Sequence, residues 1–251
     1  MTAVVAAGRR VLPRGWKDFG FQIFIWFGFY LSYMAVRSLA DRNETKALLN
    51  GFRVIDFEQH FTSRFVEQSA QSIADSSHLL ITAAAWTYWN SEFTVIGLSL
   101  LWIYLRRHEW FKRFRNTILL ANMIGLVGYV LMPTAPPWMF PGYGFVDRLT
   151  GHESSIVQLA ANPYAAMPSL HAADALIVGI FLFRASRHWW SKAVWALWPA
   201  WVWFCVLATA NHFWLDVLAG IVVALVSLVI ITRVTKRRER PVEAVPIANL
   251  L

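Results

Sequence analysis

Charge and cysteine are both scarce in this sequence. Asp, Glu, Lys and Arg together make up 15% of the 251 residues, against roughly 25% in an ordinary soluble domain. The single cysteine, Cys205, lies inside an apolar run. With no second thiol to pair with, an intrachain disulfide is excluded, and cysteine usage says nothing about compartment. No internal repeat or low-complexity tract breaks the chain, which argues against a solenoid or a disordered linker. No close ligand cluster such as H-E-x-x-H occurs, so neither a metal nor another cofactor is expected. The first apolar run is long and lacks a small-residue cleavage site at its end, so it reads as a retained helix and not as a cleaved signal.

What the sequence has is grease, at 57% hydrophobic residues. It falls in long runs with the charges between them, and a membrane-spanning helix needs roughly 20 mostly apolar residues. A soluble helical domain with an unusually apolar core would not segregate its charges this way. Trp is abundant, at 14 residues, and Trp16, Trp110, Trp138, Trp189 and Trp190 sit near the ends of runs, where an amphipathic ring meets the headgroup layer. The pattern predicts a single all-α domain, a polytopic membrane helix bundle with about six transmembrane helices. Spans are expected near 19–39, 86–105, 117–132, 170–183, 193–210 and 215–232. The second is the least sharply bounded, because the apolar stretch 78–105 is longer than one crossing needs and is interrupted by Asn90-Ser91-Glu92. Segment 41–77 reads as an outward-facing interfacial helix region, with Leu48, Phe52, Ile55 and Phe61 at near-helical spacing.

The charges orient this layout. Six spans put residues 1–18 and the basic tail 233–251 on one side. That side then holds seventeen of the 23 Lys and Arg, including Arg9, Arg10, Arg14, Lys17, Arg106, Arg107, Lys112, Arg113 and Arg115. The other side receives Arg42, Lys46, Arg53, Arg64 and Arg148, with Arg37 near the end of the first span. Basic loops stay in the cytoplasm, so both termini are expected inside, with the plasma membrane as the expected location, and 133–169 forms an outward loop. This placement accounts for the net charge of +8 without a nucleic-acid partner. The tail Lys236–Arg240 is a topology anchor that could also touch anionic headgroups.

Chemistry-bearing residues gather at two outward junctions. One ends Asn162-Pro163-Tyr164-Ala165-Ala166-Met167-Pro168-Ser169-Leu170-His171. Pro168 and Ser169 suit a helix start, with Ser169 as its cap, and the free N–H groups of such a start attract anions. The other junction reads Asn211-His212-Phe213-Trp214-Leu215-Asp216. His212 and Asp216 are four apart, so on a helix they share a face. A carboxylate there would fix the tautomer and raise the basicity of the other ring nitrogen. One interfacial histidine alone would be a polar anchor, and one His/Asp pair alone could be a structural link. Two such junctions facing the same way point to function. Asp174, one turn beyond His171, is either a second orienting group or a helix–helix hydrogen-bonding residue.

At these residues the chain resembles the type 2 phosphatidic acid phosphatase superfamily, and within it the branch of inositol phosphorylceramide synthases and their bacterial relatives. The signature elements Pro-Ser-x-His and His-x-x-x-Asp read here Pro168-Ser169-Leu170-His171 and His212-Phe213-Trp214-Leu215-Asp216. The branch resemblance also takes in Pro133–Trp138, and covers roughly 106–220. It implies that His212 attacks phosphorus to form a phosphohistidine, that Asp216 orients it, and that His171 protonates the leaving oxygen and then activates the acceptor. Ser169 and backbone N–H groups would hold phosphoryl oxygens, with no metal. The expected substrate is a lipid phosphate among membrane lipids, and the acceptor is water or an alcohol such as inositol. Two basic elements of the phosphatase pattern are missing: Val206 occupies the position six before the nucleophile, and Trp138 stands where many relatives carry Arg. Arg148 is the candidate substitute, although it could be only a solvated loop charge. Asn211 and Tyr164 are candidate hydrogen-bond donors to substrate. The competing reading is a non-catalytic lipid-binding scaffold with a decayed site.

Overall fold

The computed structural model describes residues 12–40, 43–149 and 164–239, with the side chains of 36–40 and 238–239 left aside. The sequence readings placed on Arg9, Arg10, Arg42, Asn162, Pro163 and Arg240, and on the side chains of Arg37 and Arg238, lie outside the described residues. The described chain is helical: α1 (Gly15–Ala40), α2 (Glu44–Phe61), α3 (Val66–Asp75), α4 (His78–Asn90), α5 (Ile96–Arg106), α6 (His108–Leu131), α7 (Leu170–Ala185), α8 (Trp189–Ala208) and α9 (Trp214–Glu239). A π-helical turn, Ser91–Val95, joins α4 to α5, and two 3-10 turns, Pro137–Met139 and Pro141–Tyr143, shape the loop after α6. Among the described residues there is no β-strand, only one parallel bridge between Thr134 and Ala165.

Helices α6, α8 and α9 are each long and apolar enough to cross a membrane. Like them, α1 turns large apolar side chains outward, with Phe21, Phe24 and Phe27 more than half exposed. The predicted interruption at Asn90-Ser91-Glu92 coincides with the π turn, so α4 and α5 run on from His78 to Arg106 without a break in helix. Helix α6 starts at His108, nine residues before the expected third span. Charged residues of its first turns bond outside the apolar core: Arg113 donates to the Thr232 hydroxyl and Arg115 to Gln22.

Helix α7 is central, packing against α5, α6, α8, α9 and the π turn. At only 16 residues it is buried nearly all round, from Leu170 to Ala185. Small residues let its neighbours approach. A Cβ on Gly179 would come 2.8 Å from Pro199 Cγ of α8, and one on Gly220 of α9 would collide with the Ser169 carbonyl. Thus α8 and α9 close on α7 backbone to backbone.

The bundle has two chemically different ends. At one, Arg107 donates to the Ala185 carbonyl, and Arg113 and Arg115 reach α9 and α1. The start of α1 and the end of α9 both lie there. At the other, the ends of α6 and α8 and the starts of α7 and α9 meet, covered by α2 and α3. The apolar positions of α2 divide between its two faces. Ile55 is buried, but Phe52 and Phe61 are exposed, and the buried face carries Ala47, Asn50, Gly51, Val54 and Glu58. Small and polar residues win that face because it lies directly on backbone: Asn50 donates to the Pro133 carbonyl at 2.8 Å, and Ala135 N–H donates to the Ala47 carbonyl at 3.0 Å.

Candidate active site

The two junctions singled out in the sequence meet at the covered end. Thr134 N–H donates to Tyr164 O at 2.9 Å and Ala166 N–H to Thr134 O at 3.2 Å, which zips the two arms of the 133–169 loop together. The Met167–Pro168 peptide is cis. Ser169 then caps α7 as predicted, its hydroxyl oxygen accepting from Ala172 N–H at 3.2 Å. Helix α8 ends on Ala210 in the left-handed region, at φ 55°, a conformation that costs an alanine roughly 1–2 kcal/mol. The turn aims Asn211 and His212 back so that both N–H groups donate to the Val206 carbonyl, at 3.2 and 3.3 Å. Ser169 N–H donates to the Asp216 carbonyl at 3.0 Å, tying the two helix starts directly.

The rings of His171 and His212 lie 5.6 Å apart, centroid to centroid, at 59°. His212 is buried, and its Nδ1 sits 2.8 Å from the Ala166 carbonyl oxygen. A carbonyl only accepts, so Nδ1 carries the proton and Nε2 presents a lone pair. The sequence reading expects that role of Asp216. Its Oδ2 lies 3.7 Å from Nδ1, beyond hydrogen-bond range, and accepts instead from Phe213 N–H at 2.8 Å. Asp216 therefore holds the start of α9, in the manner of the acidic half of a capping box, with its carboxyl close behind the imidazole.

His171 is held by residues the sequence reading did not assign. Its ring stacks on Tyr88 at 4.3 Å, and its Nε2 is 3.2 Å from the Tyr88 carbonyl. By the same argument Nε2 bears a proton, which leaves Nδ1 as the nitrogen that gains and loses one. Glu92, on the π turn, places Oε1 3.5 Å from that Nδ1. The available signal was a lone carboxylate inside an apolar stretch, for which function is the default reading; π turns recur at functional sites as well.

Glu58 and Glu67 are a second surprise. Both came from a segment expected at the surface, yet both are fully buried. Glu67 Oε1 accepts from Trp214 N–H at 2.6 Å and Glu58 Oε1 from Leu215 N–H at 3.2 Å. With Asp216 on Phe213, three carboxyls occupy the three successive N–H groups that open α9. Burial first, then the neighbouring charge of Glu67, pushes Glu58 up to about 9. Burial also raises Glu67, to about 7, against the pull of its backbone hydrogen bonds. In the folded protein each therefore binds a proton more tightly than in the unfolded chain, and stability falls as pH rises from about 4.5 through 7 to 9. We expect thermal unfolding of the detergent-solubilised protein to move to lower temperature across that window. Glu58→Gln should flatten the dependence and keep the fold, because a protonated carboxyl and an amide present similar groups. Glu58→Ala, which strands Leu215 N–H, should cost about 1–3 kcal/mol. An unchanged pH dependence in Glu58→Gln would remove Glu58 from this role.

Other sequence candidates go elsewhere. Arg148 is paired with Asp75 and lines a cavity with Gln68, Gln71 and Gly144, a set that contains neither histidine. Asn211 donates its amide to the Thr209 carbonyl at 3.0 Å. Tyr164 packs on the cluster around Phe140 and Phe213 beneath α2. Asp174 resolves as the helix–helix residue, with Asn122 donating to both its oxygens at 3.0 Å. Val206 is fully buried among Ala172, Ala175 and Val217, so an Arg at that position would have nowhere to go. The described residues contain no group of three His, Cys, Asp or Glu arranged to hold a metal.

Residues 53–230 match the family model described as the PAP2 superfamily. The phosphoinositol dihydroceramide synthase of Bacteroides thetaiotaomicron is 31% identical over 154 residues, 55% of this chain and 50% of that protein. The inositol phosphorylceramide synthase of Candida albicans is 24% identical over 122 residues, 41% of this chain and 26% of that protein. The chain thus spans about half or less of the length of these curated relatives. The crystal structure of Aquifex aeolicus LpxE superposes with a TM-score of 0.49 at 17% identity, covering 66% of this chain and 93% of that one.

Proposed function

The chain belongs to the PAP2 superfamily, in the branch resembling inositol phosphorylceramide synthases, and from that premise we propose that it is a membrane-embedded lipid phosphatase or phosphotransferase working through a phosphohistidine. The observation that carries the reading is a pair of imidazoles 5.6 Å apart, one presenting a lone pair and the other a titrating nitrogen. His212 Nε2 attacks the phosphorus of a lipid phosphate, while Ala166 and Asp216 stabilise the positive charge its ring acquires. His171 Nδ1 delivers a proton to the leaving oxygen, and then takes one from water or an alcohol that attacks the phosphohistidine. Ser169, buried at the start of α7, and the adjacent helix N-terminus supply dipoles for the phosphoryl oxygens. Arg148 is left out of this site because Asp75 holds it.

In the membrane, the reading places six crossings: α1, α4–α5, α6, α7, α8 and α9. Helices α2 and α3 then lie at the outer interface with Phe52, Phe57, Phe61 and Ile73 toward lipid. The basic end faces the cytoplasm, and the histidine end faces outward. Transfer in place of simple hydrolysis fits the absence of a basic clamp at Val206 and Trp138.

The direct test is chemical. Purified full-length protein, incubated with lipid labelled at phosphorus and quenched in alkali, should carry an acid-labile label that maps to His212. Free phosphate in the products would mark hydrolysis, and a relabelled lipid would mark transfer. Label on another residue, or none, would refute the proposal. Asp216→Asn should slow turnover on the order of 10²–10⁴-fold, by analogy with loss of the carboxylate that stabilises a charged catalytic imidazole, with folding checked because the acceptor of Phe213 N–H is changed.

A further inference from the structure

Helix α2 bears on the nucleophile from two sides. On one, Asn50 donates to the Pro133 carbonyl, and the Ala47 carbonyl accepts from Ala135 N–H. Thr134, between these two, accepts from Ala166 N–H, and the Ala166 carbonyl holds His212 Nδ1. On the other side, Glu58 of α2 accepts from Leu215 N–H at 3.2 Å. Helix α3 joins it there, with Glu67 accepting from Trp214 N–H at 2.6 Å. The ring partner of His212 and the backbone that follows it are thus both set by α2 and α3.

Three oxygens around the start of α9 have no donor: Glu58 Oε2, Glu67 Oε2 and Asp216 Oδ1. All three residues are fully buried. Among the described residues no Lys or Arg is ion-paired with them, and Asp216 has His212 Nδ1 at 3.7 Å. Every other titratable side chain of α2 and α3 is exposed. The last two turns of α8 and the stretch 133–140 carry no Asp, Glu, Lys, Arg or His. The groups that face Glu58 are therefore Glu67 and Asp216, with His212 beyond Asp216. Burial first, then the charges of Glu67 and Asp216, push Glu58 up to about 9. Burial, with Asp216 adding to it, raises Glu67 to about 7. Unpaired buried carboxylates are costly. A proton on one carboxyl turns its oxygen into the donor that a neighbour lacks.

We propose that Glu58, Glu67 and Asp216 share protons across these oxygens, and that the resulting clamp positions His212 for attack on phosphorus. The proposal rests on the phosphohistidine reading and extends it. Glu58 and Glu67 are positioning residues: they act through the N–H groups that open α9 and not on the substrate. Below about 9 Glu58 keeps its proton and the clamp is closed. Above it Glu58 and Glu67 are both carboxylates, like charges with no cation between them, and the turn that carries His212 loosens. Rising pH therefore releases the alignment of the nucleophile, and falling pH restores it.

Two readouts test this on full-length protein in nanodiscs. The first is the infrared carbonyl band of a protonated carboxylic acid, which needs no turnover. The band of Glu58, identified by its loss in Glu58→Gln, should vanish as pH rises past about 9. In Glu67→Gln it should vanish about one pH unit lower or more, because the like charge that helps Glu58 keep its proton is gone. The second readout is the rate of adduct formation on His212 from a p-nitrophenyl phosphate ester, whose leaving group needs no proton from His171. In wild type that rate should fall about tenfold or more over the same range. Glu58→Gln keeps a donor at every pH and should flatten the fall, while Glu67→Gln should move it down with the infrared band. A purely structural role would change the unfolding temperature and leave the rate profile in place. Where Glu58→Gln does not fold, Glu67→Gln decides alone: band and rate must move down together. An unmoved rate profile in either variant, or no infrared band lost with Glu58, overturns the clamp and leaves the phosphohistidine standing. No adduct on wild-type His212 overturns the enzyme reading and the positioning role together, while the infrared titration still decides the shared proton.

Discussion

His212→Ala should abolish the phosphoryl adduct and lower turnover by a factor on the order of 10⁶, the loss seen when a covalent nucleophile is removed from a site that otherwise stays intact. The size follows from how completely the structure commits this ring. It is buried, its Nδ1 is spent on Ala166 at 2.8 Å, and its backbone is pinned to Val206. Only Nε2 is left for chemistry. The neighbouring carbonyls and carboxyls offer no neutral nitrogen lone pair, and His171 turns its Nδ1 to Glu92. Because alanine also frees the Ala166 carbonyl, His212→Gln is the companion variant. Its amide can donate to Ala166 and preserve the turn, so it should fold like wild type and still form no adduct. Labelled protein from either variant would show that the nucleophile lies elsewhere.

The start of α7 was legible because it rests on local rules. Pro168 and Ser169 announce a helix N-terminus in any context, and His171 follows at a fixed offset. The start of α9 was half legible. The four-residue spacing correctly put Asp216 beside His212, but spacing alone cannot separate a carboxylate that touches the ring from one that caps the helix 3.7 Å behind it. The long-range partners were not legible. Ala166 reaches His212 across 46 residues, Tyr88 reaches His171 across 83, and Glu58 and Glu67 reach α9 across about 150. Such contacts depend on which helices are adjacent, which a hydropathy pattern does not state. The protein-facing side of α2 was not legible for a related reason. Beside a membrane, large apolar residues such as Phe52 and Phe61 have lipid as an alternative to the protein core. Small and polar residues then take the protein side, reversing the rule that serves in water. Arg148 was chosen as the loop's spare cation, and the fold gives it to Asp75.

These long-range contacts also change what the site asks of its substrate. Glu58, Glu67 and Asp216 fill the opening N–H groups of α9, so that helix start is already occupied by carboxyls and cannot cradle a phosphate. In the proposed mechanism anion binding then falls to the start of α7, where Ser169 caps only one N–H. His171 follows Ser169 there, and the proposed mechanism has it meet the oxygen which leaves or enters.

His171→Ala should therefore lower turnover of a natural lipid phosphate by about 10²–10⁴-fold, the range for general acid–base catalysis, and the loss should depend on the leaving group. An alkoxide leaves phosphorus poorly unless it is protonated, which is the task assigned to Nδ1. A p-nitrophenolate leaves without help, so adduct formation from a p-nitrophenyl phosphate ester should fall less than tenfold in the same variant. The second half-reaction retains its need for a base, so the adduct should accumulate with the activated ester. Glu92→Gln should show the same pattern more weakly, since it keeps the size of the group 3.5 Å from Nδ1 and removes its charge. If His171→Ala slowed both esters equally, the ring would be a structural support or a phosphate ligand. If it slowed neither, the proton would have to come from another group, and the pairing of two histidines across one phosphorus would lose its chemical basis.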